Sequence, residues 1–300
     1  MSSTKVPISQ WRKIAMATWR PRLDGWITAE VDIDARKAQQ YVADVRAATG
    51  QHVTMMHLVG RAAAKVLEEL PLMNGRIVAG RFVPSPTIDV FFTVSMRPDV
   101  TDRGEDAAAT DLTGAVVRRV DEKPPWEIAR ELDERARQIR EGHDAQFQLT
   151  KRVTQLMPPL VLRSFLSLTT VVTEELQLPL PLLGLEARPF GSVLVTNVGT
   201  FGLDRGNPPM PAVSRLPAGV AVGAVKDMAV VEDGQVVARP MLPLAVGIDH
   251  RFIDGYQAAT IAKVFRGYIE DPASFDPVPK RPAARRGNGT RKRRAQPART

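Results

Sequence analysis

Cysteine is absent from the 300 residues. Disulfides, thiolate metal sites and cysteine nucleophiles are excluded with it, so any thiol in this protein's chemistry arrives on a substrate. Histidine is scarce, at four residues, and none has metal-ligand spacing. A phosphate-binding glycine loop and a glycine-flanked serine elbow are both missing. No apolar run reaches the length of a membrane span, and Met1 to Arg12 lacks the apolar core of a signal peptide. The chain is expected in the cytoplasm. Charge of one sign is missing from the C-terminal stretch: Lys280 to Thr300 carries nine Lys or Arg and no Asp or Glu. That stretch accounts for the net charge of +8, since the remainder holds 32 basic against 33 acidic residues. It also has no leucine, isoleucine, valine or aromatic residue, so it cannot bury a core and reads as a disordered tail over 280–300. It either only solubilises the chain or contacts nucleic acid or an anionic membrane. No aromatic is interleaved for base stacking, which favours the first.

What is present is a globular body, 44% apolar, long enough for a sizeable core. Trp26 to Asp34 alternates apolar and polar residues and predicts a strand. Asp34 is placed to cap a helix running to Thr49, with Gly50 to stop it. Thr54 to Leu70 predicts a second helix before Pro71, and Trp126 to Gly142 a charged amphipathic one. Strands are expected at Ile88 to Met96, Ala115 to Val120, Ser192 to Val198, Val220 to Val225 and Met241 to Ile248. Val236 and Val237 follow a turn at Asp233-Gly234. Tyr256 to Ile269 predicts a closing helix. Arg97 to Thr113 is polar and reads as a loop. Residues 148–189 are rich in leucine, valine and proline, and suggest two short helices parted at Pro158-Pro159. That segment is either a helical excursion packed on the body or an acyl-chain lid or membrane-surface contact. Strands and helices mix without a regular βαβ repeat, which points to an α+β layer sandwich rather than a doubly wound nucleotide fold.

His57 lies within a helical apolar pattern and reads as structural, while His52 and His143 sit at loop edges. His250 differs. It ends an apolar strand between Asp249 and Arg251, with Asp254-Gly255 just beyond. A strand end that turns through glycine into a helix presents a side chain on a rigid frame. Imidazole moves protons near neutral pH. From spacing alone the residue is either a base or one member of a surface ion cluster.

Asp249-His250-Arg251-Phe252-Ile253-Asp254-Gly255 resembles the signature of the dihydrolipoyl acyltransferases, the acyltransferase core of 2-oxo acid dehydrogenase complexes. It is similar, more distantly, to chloramphenicol acetyltransferase. Val230 to Pro243, Ser192 to Gly202, Gly114 to Ala129 and Ile8 to Ala15 resemble further family segments in the same order. The likeness covers about residues 8–147 and 190–273, leaving 148–189 as a helical insertion in a catalytic domain spanning 1–279. The resemblance implies a chloramphenicol acetyltransferase-like two-layer α+β sandwich and acyl transfer with coenzyme A, or acyl-CoA, as substrate and no metal. His250 would be the general base, Thr196 the donor to the oxyanion, and Asn197 a residue that fixes the oxyanion loop. Asp254, counted with His250 and Thr196 among the catalytic residues, would orient the site through a structural ion pair with Arg12. It also implies a homotrimer, or a larger assembly of trimers, with His250 of one copy meeting Thr196 of the next. No lipoyl domain is read on this chain, so the acyl partner is either a lipoyl domain on another protein or a different acyl acceptor. The rival expectation is a non-catalytic scaffold or regulatory homologue that keeps the trimeric core.

Overall fold

Alternation from Trp26 onward does produce a strand, β1 (Trp26–Asp34), which turns Ile27, Val31 and Ile33 toward the core. The computed structural model describes residues 26–95, 112–141, 157–208 and 210–280. Arg12, His143, most of the expected polar loop, the start of the 148–189 segment and the basic tail after Lys280 lie outside the described residues. Helix α1 (Arg36–Thr49) begins after Ala35, one residue later than a cap at Asp34 requires. The Asp34 carboxylate instead accepts the Arg36 N–H at 2.9 Å and clasps the Arg36 guanidinium. Gly50 ends the helix at φ 72, the left-handed conformation that glycine adopts at little cost.

Helix α2 (Met55–Glu69) buries a long face, from Leu58 and Val59 to Val66 and Leu67. It lies close on the sheet: a Cβ at Gly60 would come within 2.4 Å of the Phe92 ring. A hairpin missing from the sequence-based expectation follows, β2 (Gly75–Val78) and β3 (Arg81–Pro84). Its two-residue turn places both Ala79 and Gly80 at positive φ. Hairpin turns of that kind usually announce themselves by Asn or Asp in the first position, and alanine does not.

The remaining elements are β4 (Val90–Ser95), β5 (Leu112–Val117), α3 (Pro125–Arg140), α4 (Pro159–Thr170), β6 (Val193–Asn197), β7 (Ala218–Val222), β8 (Lys226–Glu232), β9 (Gln235–Asp249), α5 (Gly255–Glu270) and the short α6 (Pro272–Phe275). Seven strands form one sheet in the order β1-β9-β7-β6-β4-β5, with β8 also on β9. Pairing is parallel for β4 with β6 and β6 with β7, and antiparallel elsewhere. The expected strand from Met241 is thus the second half of a longer one. β9 pairs with β8 through Gln235–Met241 and with β7 through Leu244–Ile248. Pro240 and Pro243 fall at the changeover, where their carbonyls accept from Ala35 and Gly223. A proline lacks the N–H that an uninterrupted ladder needs, and here the ladder is handed over.

Val90, Phe92, Val193, Val195, Val220, Leu244 and Val246 point from one sheet face into a core shared with α1, α2, α3 and α5. This is the expected α+β arrangement of one helical layer on one sheet. Of the two helices expected in the 148–189 segment, the one before Pro158 lies outside the described residues, and the one after it is α4. α4 starts at Pro159 and runs into a wider π-type turn at Val171–Glu175.

Candidate active site

The last eight residues of β9, Leu242 to Asp249, are buried, and the next residue is not. A turn closes there, with the Phe252 N–H donating to the Asp249 carbonyl at 3.0 Å. His250 and Arg251 occupy its corner. The buried Asp249 carboxylate accepts the Arg251 backbone N–H at 3.1 Å and the guanidinium Nε at 2.9 Å. Buried Ile253 pins the far side. The backbone beneath His250 is therefore fixed from both flanks while the imidazole is exposed. Asp254 then starts α5. Its Oδ1 accepts the N–H groups of Tyr256 at 2.8 Å and Gln257 at 3.4 Å, and the Gln257 side chain accepts the Asp254 N–H at 2.8 Å. This reciprocal arrangement is a capping box. The role observed for Asp254 is thus helix capping, and its expected partner Arg12 lies outside the described residues.

Thr196 stands on the sheet face turned away from the helices, because its neighbours Val193 and Val195 point into the core. It is 9% exposed. Thr93 on β4 projects beside it, and its hydroxyl lies 2.8 Å from the Thr196 hydroxyl. Asn197 ends β6, and its side-chain oxygen accepts the Thr200 N–H at 3.3 Å, closing the loop that follows. Gly199 in that loop touches the backbone of Gly223 and Ala224, where a Cβ would come within 2.6 Å of the Ala224 nitrogen. Asn197, Gly199, Thr200 and Gly223 line an open cleft of about 380 Å³ with Arg46, Thr54 and Met55 from the helical layer. The Arg46 Nε already donates to the Val53 carbonyl at 2.7 Å.

The strand register separates the two halves of the expected site. Thr196 is level with Ala221, and Ala221 with Ala245. His250 lies five residues beyond Ala245, which is about 17 Å along the strand, with two strand spacings of about 10 Å in total crosswise. No pair of side chains spans that gap, so one chain does not bring His250 and Thr196 together.

His57 takes the structural place expected of it. Its Nδ1 accepts the Thr54 N–H at 2.9 Å, and burial lowers its pKa to about 3. Nε2 is buried with no hydrogen-bond partner among the described residues.

Two groups of polar residues escaped the sequence reading. Thr93 looked like one more β-former within an apolar strand, and only its parallel neighbour reveals it. Asp89 also looked like a strand-start residue. It is fully buried, and its carboxylate takes Arg118 at 2.9 Å, Arg188 at 2.6 Å and the Arg119 N–H at 3.0 Å. Burial pushes its pKa up, but these donors outweigh burial and hold it below the usual range. Their partners are distant in sequence, so no local signal could have shown them.

The model of the 2-oxoacid dehydrogenases acyltransferase (catalytic domain) family matches residues 2–153 and 189–275. The chain is 24% identical over 282 residues to the dihydrolipoyllysine-residue acetyltransferase component of the acetoin cleaving system of Bacillus subtilis. The match takes in 90% of this chain and 56% of that protein, so the chain spans little more than half the relative's length. A probable dihydrolipoamide acetyltransferase from Listeria monocytogenes superposes with a TM-score of 0.62 at 19% identity, covering 90% of this chain and 95% of that one. The Azotobacter vinelandii dihydrolipoamide acetyltransferase, studied for the role of a serine, a histidine and an asparagine in its catalytic mechanism, gives 0.63 at 19% identity over 90% of this chain and 92% of its own. These solved structures have the same fold. With most of its length matched in order by the catalytic-domain model, this chain belongs to the 2-oxoacid dehydrogenase acyltransferase family.

Proposed function

We propose that this chain transfers an acyl group between coenzyme A and a dihydrolipoyl-type thiol, using a site assembled from two copies of itself. The observation that carries this is the separation of a rigidly mounted, exposed His250 from a buried Thr196. Each is held as a site residue would be, and neither has the other within reach. A closed trimer supplies the missing half at each subunit boundary.

In this reading the His250 imidazole takes the proton of an incoming thiol, whose pKa near about 8.5 is within reach of such a base. The thiolate attacks the thioester carbonyl. The Thr196 hydroxyl of the neighbouring copy donates to the oxygen that becomes negative. The tetrahedral intermediate then collapses, and the departing thiolate takes the proton back from His250. No acyl-enzyme is needed, in keeping with the absence of cysteine. In the Azotobacter vinelandii enzyme the named histidine and asparagine are four positions apart, as are His250 and Asp254 here. The lipoyl group would arrive on another protein, and trimers could pack into larger shells. The Asp254–Arg12 ion pair belongs to the same reading.

The test is thiol release from acyl-coenzyme A with dihydrolipoamide as acceptor. His250→Ala and Thr196→Ala chains are each expected to be nearly inert. Co-expressed in equal amounts they should regain about a quarter of wild-type activity. About three quarters of random trimers are mixed, and each mixed ring has one boundary joining an intact His250 to an intact Thr196. Absence of recovery in mixed trimers would sink the shared site. Absence of turnover in the wild type would favour the scaffold reading.

A further inference from the structure

We propose that Thr93 is a positioning residue, which turns the Thr196 hydroxyl into a donor aimed at the oxyanion. The inference rests on the acyl-transfer reading above and adds a residue to it. A hydroxyl carries one proton to donate and two lone pairs to accept with. The 2.8 Å bond between Thr93 and Thr196 can run either way, and only one direction serves catalysis. If Thr196 donated to Thr93, its only proton would be consumed. If Thr93 donates, Thr196 is polarised and its proton stays available for the thioester oxygen. Among the described residues this bond is the only side-chain hydrogen bond of Thr196.

The fold enforces the contact. β4 and β6 are parallel with Phe92 level with Val195, so Thr93 and Thr196 come next in step and project from the same face. Phe92, on the other face, is locked under α2 at Gly60. Rotation of β4 by one residue would bury Thr93 and expel Phe92, so the register is strongly specified. β-branching leaves each threonine few χ1 rotamers, and the two hydroxyls meet without conformational search. The pair belongs to one copy, whereas its target lies at the boundary with the next.

The experiment compares Thr93→Val, Thr93→Ser and the Thr93→Val/Thr196→Val double variant with wild type in the thiol-release assay. Valine keeps the shape of threonine and removes the donor. Thr93→Val is expected to lower kcat about tenfold, the scale of one ordinary hydrogen bond. KM for acyl-coenzyme A and Tm should stay near wild type. Thr93→Ser is expected to keep most of the rate. On a Thr196→Val background the Thr93 change should cost nothing more, because a residue that acts through another has no effect once that other is gone. A Thr93→Val enzyme at full kcat, or equal losses with and without Thr196, would overturn the positioning role while leaving acyl transfer intact. An inert wild type would overturn both.

Discussion

The sheet body and the segment from 157 to 190 are held by different forces. The body packs several dozen apolar side chains between one sheet face and four helices. Among the segment's described side chains, Leu162 is the only fully buried large apolar one, and it stands outside the main core cluster. What fastens the segment is polar. Arg76 on β2 and Glu174 are both wholly buried, and the guanidinium reaches the carboxylate at 2.8 Å. Arg76 also donates to the carbonyls of Gly75 and Gly191, and the Phe190 N–H donates to Glu174 at 3.1 Å. At the far end Arg188 clamps onto Asp89, while Arg118 reaches from the body to Glu186 and to the carbonyls of Ala187 and Arg188. Thr170 reaches the Val213 carbonyl, and Arg215 pairs with Glu175 at 3.1 Å. Meanwhile Leu168, Leu176, Leu178 and Leu182 face outward. The family model leaves out just this stretch, between 153 and 189. An addition to an already complete core finds little apolar surface left to bury, and directional bonds fix where it sits.

The largest expected effect follows from that contrast. Glu174→Ala strands a buried guanidinium and should destabilise the chain by about 3–5 kcal/mol in chemical denaturation. Joint replacement by Arg76→Met and Glu174→Leu should recover most of that loss, because it removes both charges and retains volume. A single variant within about 1 kcal/mol of wild type would show that the pair is ornamental.

The body has polar weaknesses of its own, and His57 among them gives the next effect in size. His57 stays neutral in the fold, with its pKa lowered to about 3, whereas in the unfolded chain it titrates near about 6.5. The unfolded state therefore takes up a proton that the folded state refuses. Stability is complete above about pH 6.5 and falls below it, by about 1.4 kcal/mol per pH unit from this group. His57→Gln keeps an acceptor for the Thr54 N–H and does not titrate, so it should remove that component of acid sensitivity. Identical pH profiles for the two proteins would refute the assignment.

The smallest effect tests the site's own footing. Asp254→Ala removes the α5 cap and should cost about 1 kcal/mol, read as a modest drop in denaturation midpoint. A much larger loss would point to a buried cation resting on the same carboxylate, as the expected Arg12 pairing requires.

Most of the body's elements were legible in the sequence because their signals were local, the β2–β3 hairpin and β8 being the exceptions. Alternation marked β1, helical spacing marked α2, and the Asp249–Gly255 motif marked the turn at His250. Long-range relations stayed hidden. Two prolines divided β9 into an apparent strand and a fragment, and only the change of neighbour from β8 to β7 explains their place. Thr93 acquires meaning from a strand about a hundred residues later, which no window along the chain could reveal. Glu174 sits in a leucine-rich run with nothing in its neighbours to mark it, yet through Arg76 it is the anchor of that run.

The length of β9 has a further consequence, for the order in which the molecule comes into being. β1 and β7 are held side by side only through β9, and Trp26 must wait for Asp249 to find its partner. A sheet that closes through so distant a pairing has high contact order, and it folds slowly because a long loop is closed before any contact rewards it. On a ribosome the first strand emerges long before the strand that completes it. Until then its backbone is an open edge, and the acidic Glu30, Asp32 and Asp34 along it are the kind of charge that keeps such an edge from recruiting a stranger.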